Sequence, residues 1–455
     1  MARDIIDESP IESRQALVNW LEQGCKPASS FRVGTEHEKI PFYRSDLSPV
    51  PYEGPRGIGA LLEGMKARLG WEPILDEGRL IGLYDARGGA ISLEPGGQFE
   101  LSGAPLETIH ETARETAKHL ADVADVGGKL GVGFLALGLS PKWRLAETPA
   151  MPKQRYHIMA RYMPSVGARG LDMMFRTATV QSNLDFSSES DMVKKMRVGL
   201  ALQPLASALF ANSPFLEGKP NGFLSARSEI WRDTDKARTG MLPFVFEPGM
   251  GFERYVDYAL DVPMYFVKRG AHYHDVAGAS FRDLLSGRLA ALPGERATMS
   301  DWVNHLSTIF PEVRLKRYLE MRGADVGPAD RINACSAFFV GLFYDAGALD
   351  AAYDLIKDWR ADERQKLRDD VPRLALGASM RGRPLREIAR DALDIANKGL
   401  ARRARGDDKG RDESMYLAPL WRIVETGEVA AETWLKRYEG PWRSSVDPAF
   451  AEASY

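Results

Sequence analysis

The sequence predicts an α+β fold, and three observations carry that prediction. Short apolar runs broken by Gly and Pro, "LIGLYD", "GAISLE" and "QFELSG", follow one another between residues 80 and 103, as hairpin strands do. Residues 177 to 187, "TATVQSNLDFS", alternate cleanly: Thr177, Thr179, Gln181, Asn183 and Asp185 share one face, and Ala178, Val180, Ser182, Leu184 and Phe186 share the other. The chain from about residue 350 onward reads as mainly helical. Strands that pair locally, with helices set apart from them, are the α+β pattern.

The elements then follow in order. Residues 9 to 25, "SPIESRQALVNWLEQGC", predict a capped amphipathic helix, with Ser9 as cap, Pro10 in the first turn and Gly24 at the end. "FRVGTEHEKIPF" follows as a strand, and residues 57 to 69 as a helix with Leu61, Leu62, Met65 and Leu69 on one side. After the hairpin region, Pro105 opens a long helix running to about residue 127, and "GVGFLALGLS" is a buried strand behind it. Residues 191 to 211 form a strong helix that "NSPF" ends. Residues 398 to 414, "KGLARRARGDDKGRDES", read as a basic helix end leading into a polar, solvated loop. There is no internal repeat, and the chain is expected to form a single catalytic domain over residues 1 to 455.

Composition excludes several classes. A chain of 455 residues, 44% apolar, buries a large core, and a net charge of -3 offers no electrostatic reason to bind nucleic acid or an anionic membrane. No apolar run is long enough to cross a bilayer. The opening "MARDIIDESPIESR" has no apolar signal core and carries acids early, so a cytoplasmic protein is expected. Cys25 and Cys335 are the two cysteines, too few for a disulfide scaffold or a Cys-based zinc site and compatible with a reducing compartment.

The candidate chemistry lies in acidic segments. In "GTEHEKIPF", Glu36 and Glu38 point to one side of a core strand. In "SLEPGGQFELSG", Glu94 precedes a Pro-Gly-Gly turn, and Gln98 and Glu100 share a strand face. Glu320 stands beside Arg322 in "RYLEMRGAD". Buried carboxylates must be paired, protonated or metal-bound. Oxygen ligands with few His or Cys nearby favour Mg²⁺ or Mn²⁺, held around a polyphosphate. The competing reading is a solvated, salt-bridged strand edge. Other motifs fail. There is no G-x-x-x-x-G-K-[ST], no H-E-x-x-H, and "GVGFLALG" lacks the dinucleotide spacing; His272 and His274 in "HYHD" lack a third ligand.

Longer runs carry a family likeness. "FRVGTEHEKIPF", "ISLEPGGQFELSGAPLETIHET", "YMPSVGARGLDMMFRTATVQSNLDFSSESDM", "ALFANSPFLEGKPNGFLSARSEIWRDTDKARTGMLPFVF" and "HLSTIFPEVRLKRYLEMRGAD" resemble the glutamate–cysteine ligases of the plant and alphaproteobacterial type, and the likeness extends from about residue 15 to "SVDPAF". The resemblance implies a glutamine synthetase-like fold, a curved and mostly antiparallel sheet with the active site on its concave face. It implies ATP as co-substrate, Mg²⁺ or Mn²⁺, and ligation of the glutamate γ-carboxylate to the cysteine amine, the first step of glutathione synthesis. By motif, Glu36, Glu38, Glu94, Glu100 and Glu320 correspond to metal ligands and Arg322 to the group on the transferring phosphoryl oxygens. Glu100 also counts as catalytic. Arg227, Gln98 and Asn183 correspond to substrate-binding residues, and Gln181, which replaces a metal-binding His of a more distant branch, to a nucleotide contact. Cys25 and Cys335 match the region of a redox pair of the plant enzymes, which leaves a disulfide switch and two free thiols both open. The implied partners are small molecules, with no nucleic acid and no membrane, and the chain is a monomer or a redox-dependent homodimer. A related γ-glutamyl ligase with another amine acceptor, as in ergothioneine synthesis, is the alternative of the same fold. A glycosidase, which also pairs carboxylates, predicts no ATP dependence.

Overall fold

The computed structural model describes residues 7–455, so the first part of the N-terminal segment read above lies outside the described residues. Nine strands form one sheet: β1 (Val33–Tyr43), β2 (Glu72–Asp76), β3 (Arg79–Tyr84), β4 (Ala90–Leu93), β5 (Phe99–Ser102), β6 (Val132–Leu135), β7 (Thr179–Leu184), β8 (Val313–Leu315) and β9 (Leu319–Asp325). The spatial order is β8-β9-β7-β1-β5-β4-β3-β2, with β6 also on β1, and every pairing is antiparallel.

β1 is the spine of the sheet. Ten of its eleven residues are buried, because helices cover one face and the site walls enclose the other. Lys39 and His37 point away from Glu36 and Glu38, and the Lys39 ammonium donates to the His37 main-chain oxygen at 3.0 Å. The helices that matter below are α1 (Arg14–Glu22), α2 (Ile58–Leu69), α3 (Ile109–Leu130), α4 (Gln154–Tyr162), α5 (Gly170–Arg176), α6 (Glu189–Leu209), α7 (Ala226–Ile230) and α8 (Ala329–Phe343). His119 of α3 stacks edge-on against His37 behind the sheet. The apolar "AFFVGLFY" run lies in α8, whose residues Ile332 to Phe343 are all buried, so the helical C-terminal part begins at 329 rather than 350.

Two helix starts differ from expectation for one reason. α1 begins at Arg14 with Ser13 as cap, because Ser9 and Ile11 are held extended by main-chain bonds to Met299 and Ala297. α3 begins at Ile109, capped by Thr108 and Glu111, because Leu106 exchanges two main-chain bonds with Val33. In each case a remote strand-like partner took residues that the local pattern had assigned to a helix. The strand at 177–187 is shorter than read, Thr179–Leu184, and α6 is shifted two residues toward the N-terminus by its Ser188 cap. No single helix among the described residues is long and apolar enough to cross a membrane.

Candidate active site

Register brings the acidic segments together. Glu38 lies directly opposite Glu100 across β1 and β5, and Glu36 lies opposite Gln181 across β1 and β7. Directly paired residues share a face. Ser92 on β4 and Asn183 and Thr179 on β7 complete it. The EPGGQ turn adds Glu94: Gly97 N–H donates to the Glu94 oxygen at 2.9 Å, with Gly97 at φ 87. A Cβ at Gly96 would sit 2.2 Å from the Phe175 carbonyl oxygen, so this turn needs glycine at both positions.

These carboxylates are buried and lack cationic partners. Glu36, Glu38 and Glu100 are at most 9% exposed. Among the described residues none of Glu36, Glu38, Glu94 or Glu100 makes an ion pair. Their contacts are neutral donors. Asn183 Nδ2 donates to Glu36 at 2.8 Å, Thr179 N–H to Glu38 at 2.9 Å, and Ser92 and Ser102 hydroxyls to Glu100 at 2.7 and 3.1 Å. Burial first, then Glu320 and Glu100, push the Glu36 carboxyl up. Burial, then Glu94 and Glu100, push Glu38 well up, opposed by Arg227 and the Thr179 N–H.

Cations line the same cavity. Arg227, Arg155, Lys153, Arg314 and Arg322 share its walls with Glu36, Glu38, Glu94 and Glu100. Arg322 Nη1 donates to Gln181 Oε1 at 2.5 Å, and burial with Arg314 beside it pushes the guanidinium down to about 10. Arg227 is buried, and its Nε, like the Arg155 Nε and the Trp231 indole N–H, has no partner among the described residues. Unpartnered buried donors facing a cavity are what an anionic ligand satisfies.

The other expected site residues are placed as follows. Gln98 lines the cavity, but its side chain is spent on main chain, accepting from Gly96 N–H and donating to Met174 and Thr177 oxygens. Asn183 is bonded to Glu36, and its Oδ1 is buried without a partner. Glu320 is fully buried between Arg314, Lys316 at 2.6 Å and Arg322 at 3.3 Å, so the structure makes it the anion of a cation cluster. Burial alone would raise its carboxyl, yet Arg314, Lys316 and Arg322 hold it well below the usual range. Cys25 and Cys335 are both free thiols. Cys335 packs against Ser182 of β7, whereas Lys26, next to Cys25, bonds Phe186.

Sequence reasoning missed Lys153, Arg155 and Tyr156 of the α4 segment. Tyr156 hydroxyl donates to the Leu93 carbonyl at 2.6 Å and the Lys153 ammonium to the same oxygen at 2.7 Å, which ties the segment beside Glu94. Nothing in "MPKQRYHIMA" signals that role. Arg314 and Lys316 were readable in principle, since a hairpin at "VRLKRYLEMR" places Arg314 opposite Glu320 and Lys316 two residues on, on the same face.

A cation has to fit this donor set. Three buried carboxylates and the half-buried Glu94, with unbalanced charge, suit a hard ion such as Mg²⁺. They flank the cavity without closing on a point: no three His, Cys, Asp or Glu among the described residues form a ready-made cage. Mg²⁺ keeps waters and uses one or two carboxylates plus substrate phosphate oxygens, so an open arrangement of this kind meets its demands.

The fold matches a solved structure titled as glutamate–cysteine ligase from Francisella tularensis in complex with AMP, with a TM-score of 0.55 at 12% identity, over 90% of this chain and 85% of that one. The family model and the curated relatives make the chain a ligase. The family model for glutamate-cysteine ligase family 2 matches residues 32–452, and the chain belongs to that family. It is 54% identical over 97% of its length to the chloroplastic glutamate–cysteine ligases of Nicotiana tabacum and Arabidopsis thaliana, covering 83% of each. The rice enzyme named glutamate–cysteine ligase B, chloroplastic, is 53% identical over the same share, with 87% of it covered. These names overturn the cytoplasmic expectation. The scarcity of cysteine argued only for a reducing compartment, and it does not tell one such compartment from another.

Proposed function

We infer that the chain joins the γ-carboxylate of L-glutamate to the amino group of L-cysteine with ATP, the first step of glutathione synthesis. The observation that carries this is one cavity lined both by carboxylates without an ion pair and by guanidinium groups, two of which, Arg227 and Arg155, keep an Nε without a partner among the described residues. The names of the relatives supply the substrates.

A carboxylate is a poor acylating agent because oxide would have to leave. Transfer of the ATP γ-phosphoryl group to the glutamate γ-carboxylate gives γ-glutamyl phosphate and ADP. The cysteine amine then attacks the acyl carbon, a tetrahedral species forms, and phosphate departs with the peptide-type bond made. The first step brings two anions together. Mg²⁺ or Mn²⁺, when bound, supplies positive charge between them; Glu36, Glu38, Glu94 and Glu100 are the residues to hold it. Arg322 faces the phosphoryl oxygens, its guanidinium steadied by Gln181 and Glu320. Glu320 thus serves the reaction by holding Arg322. Arg227 takes a glutamate carboxylate.

A second cavity, lined by Lys26, Arg32, Tyr84, Ser102, Asn183, Asp185 and Tyr318, meets the first at Glu36. A nucleotide whose base and ribose occupy it would direct its phosphates at the acidic wall. These residues sit on one sheet, its connecting turns and the helices beside it, which supports a single catalytic unit with a mainly helical C-terminal part.

The test is phosphate release from ATP. It should require glutamate, cysteine and Mg²⁺ together. Release with glutamate and a different amine, but none with cysteine, would overturn the substrate assignment.

A further inference from the structure

We propose that Asp325 is the positioning residue of Arg227: a buried carboxylate at the end of β9 that fixes where the guanidinium stands in the cavity. This rests on the reading of Arg227 as the glutamate-binding residue.

Asp325 is 1% exposed and gathers three donors from two segments remote in sequence. It accepts from Asn212 N–H at 2.9 Å and from the Ser213 hydroxyl at 2.7 Å through one oxygen. Through the other it accepts from the Ser225 hydroxyl at 2.9 Å. Each hydroxyl passes the constraint on. Ser213 Oγ accepts the Arg227 N–H at 3.1 Å. Ser225 caps α7, accepting the Ser228 N–H at 3.2 Å, and Arg227 is the second residue of that helix. The guanidinium is also 4.0 Å from Asp325 Oδ1, and its Nη2 donates to the Arg322 carbonyl at 2.9 Å, on the same strand.

So one carboxylate sets the backbone of Arg227 by two routes and its charge by a third. The space around it is made to fit. A Cβ on Gly138 would lie 2.6 Å from the Asp325 side chain, so the chain passes there only as glycine. The need for such a device follows from the shape of α7. It has five residues, too few to hold its own orientation, and it carries a group that must meet a substrate within a few tenths of an ångström.

Asp325→Asn tests this. The amide keeps the volume and one acceptor. It removes the charge and turns an N–H toward the Ser225 hydroxyl or the guanidinium. Steady-state kinetics on Asp325→Asn should show the glutamate KM raised about tenfold or more, since a charge-assisted hydrogen bond is worth about that in binding. The KM values for ATP and cysteine should stay within about twofold, and kcat should fall less than kcat/KM for glutamate. Ser213→Ala, which removes only the relay to the Arg227 N–H, should give a smaller shift of the same selectivity, and it decides the matter if Asp325→Asn does not fold. Parallel loss in all three KM values and in melting temperature, or an unchanged glutamate KM, would overturn the proposal. Arg227→Lys separates the two layers. If it leaves the glutamate KM unchanged, the reading of Arg227 fails and takes the proposal with it. If it raises that KM and the Asp325 and Ser213 variants do not, only the positioning role fails.

Discussion

Replacing Glu320 with Gln removes the carboxylate that ion-pairs with a buried group of three cations. Its oxygens lie 2.6 Å from the Lys316 ammonium and 3.3 Å from Arg322, with Arg314 paired as well. Charges about 4 Å apart attract by roughly 4 kcal/mol at an effective dielectric of 20, and three such attractions act on this carboxylate. Desolvation offsets much of that sum, and breaking a buried pair by deleting one partner costs about 3–5 kcal/mol. Glu320→Gln should therefore lower folding free energy by about that amount, read from the urea midpoint at unchanged m value. It should also lower kcat, because Arg322 loses a partner that fixes it. The sign with pH follows from the depressed carboxyl: its contribution is present above the ordinary carboxylate range and is lost as pH falls through the folded-state value. The wild type should lose stability on the acid side where the variant has none of this term to lose. The family resemblance makes Glu320 a metal ligand instead. An unchanged urea midpoint, with the Mg²⁺ concentration for half-maximal rate raised about tenfold, would refute the cation-cluster argument.

Three further outcomes are expected. Glu36→Gln and Glu100→Gln should each cut kcat by about 10²–10³. Glu36→Gln should at the same time raise the melting temperature, since it removes a charge that burial, Glu320 and Glu100 all disfavour; a matching loss of stability would contradict its place in the acidic wall. Burial pushes the Cys335 thiol up to about 12, so iodoacetamide at pH 8 should label Cys25 in the native protein and Cys335 only after unfolding, as peptide mass spectrometry would show. Fast labelling of both, or a change in non-reducing mobility with dithiothreitol that Cys25→Ser abolishes, would restore the redox switch. Glu115, pushed up to about 7 by burial, binds a proton in the folded state that the unfolded chain has released, so its contribution falls as pH rises from about 4 to 7. Glu115→Gln keeps an acceptor for the Ala104 N–H at 3.0 Å and should be the more stable form at pH 8 by differential scanning calorimetry, with the advantage gone at pH 4.5.

The sequence alone determined which side chains share a face. Alternation in "TEHEK" and "TVQSNL" put Glu36 and Glu38 together, and Gln181 with Asn183, because a strand has a period of two wherever it lies. "EPGGQ" specified its turn for an equally local reason, the left-handed φ at Gly97. The long family runs supplied the function. What the tertiary structure decided was the charge environment. β9 reaches β7 across some 140 residues of chain, and only that pairing surrounds Glu320 with cations and hands Arg322 to Gln181. Lys153 and Arg155 entered the cavity through a helix with no local mark of it. The same is true of Asp325, whose three partners come from segments about 100 residues or more away. Local sterics are written in neighbouring residues. Electrostatic partners are chosen by long-range packing, which periodicity does not encode.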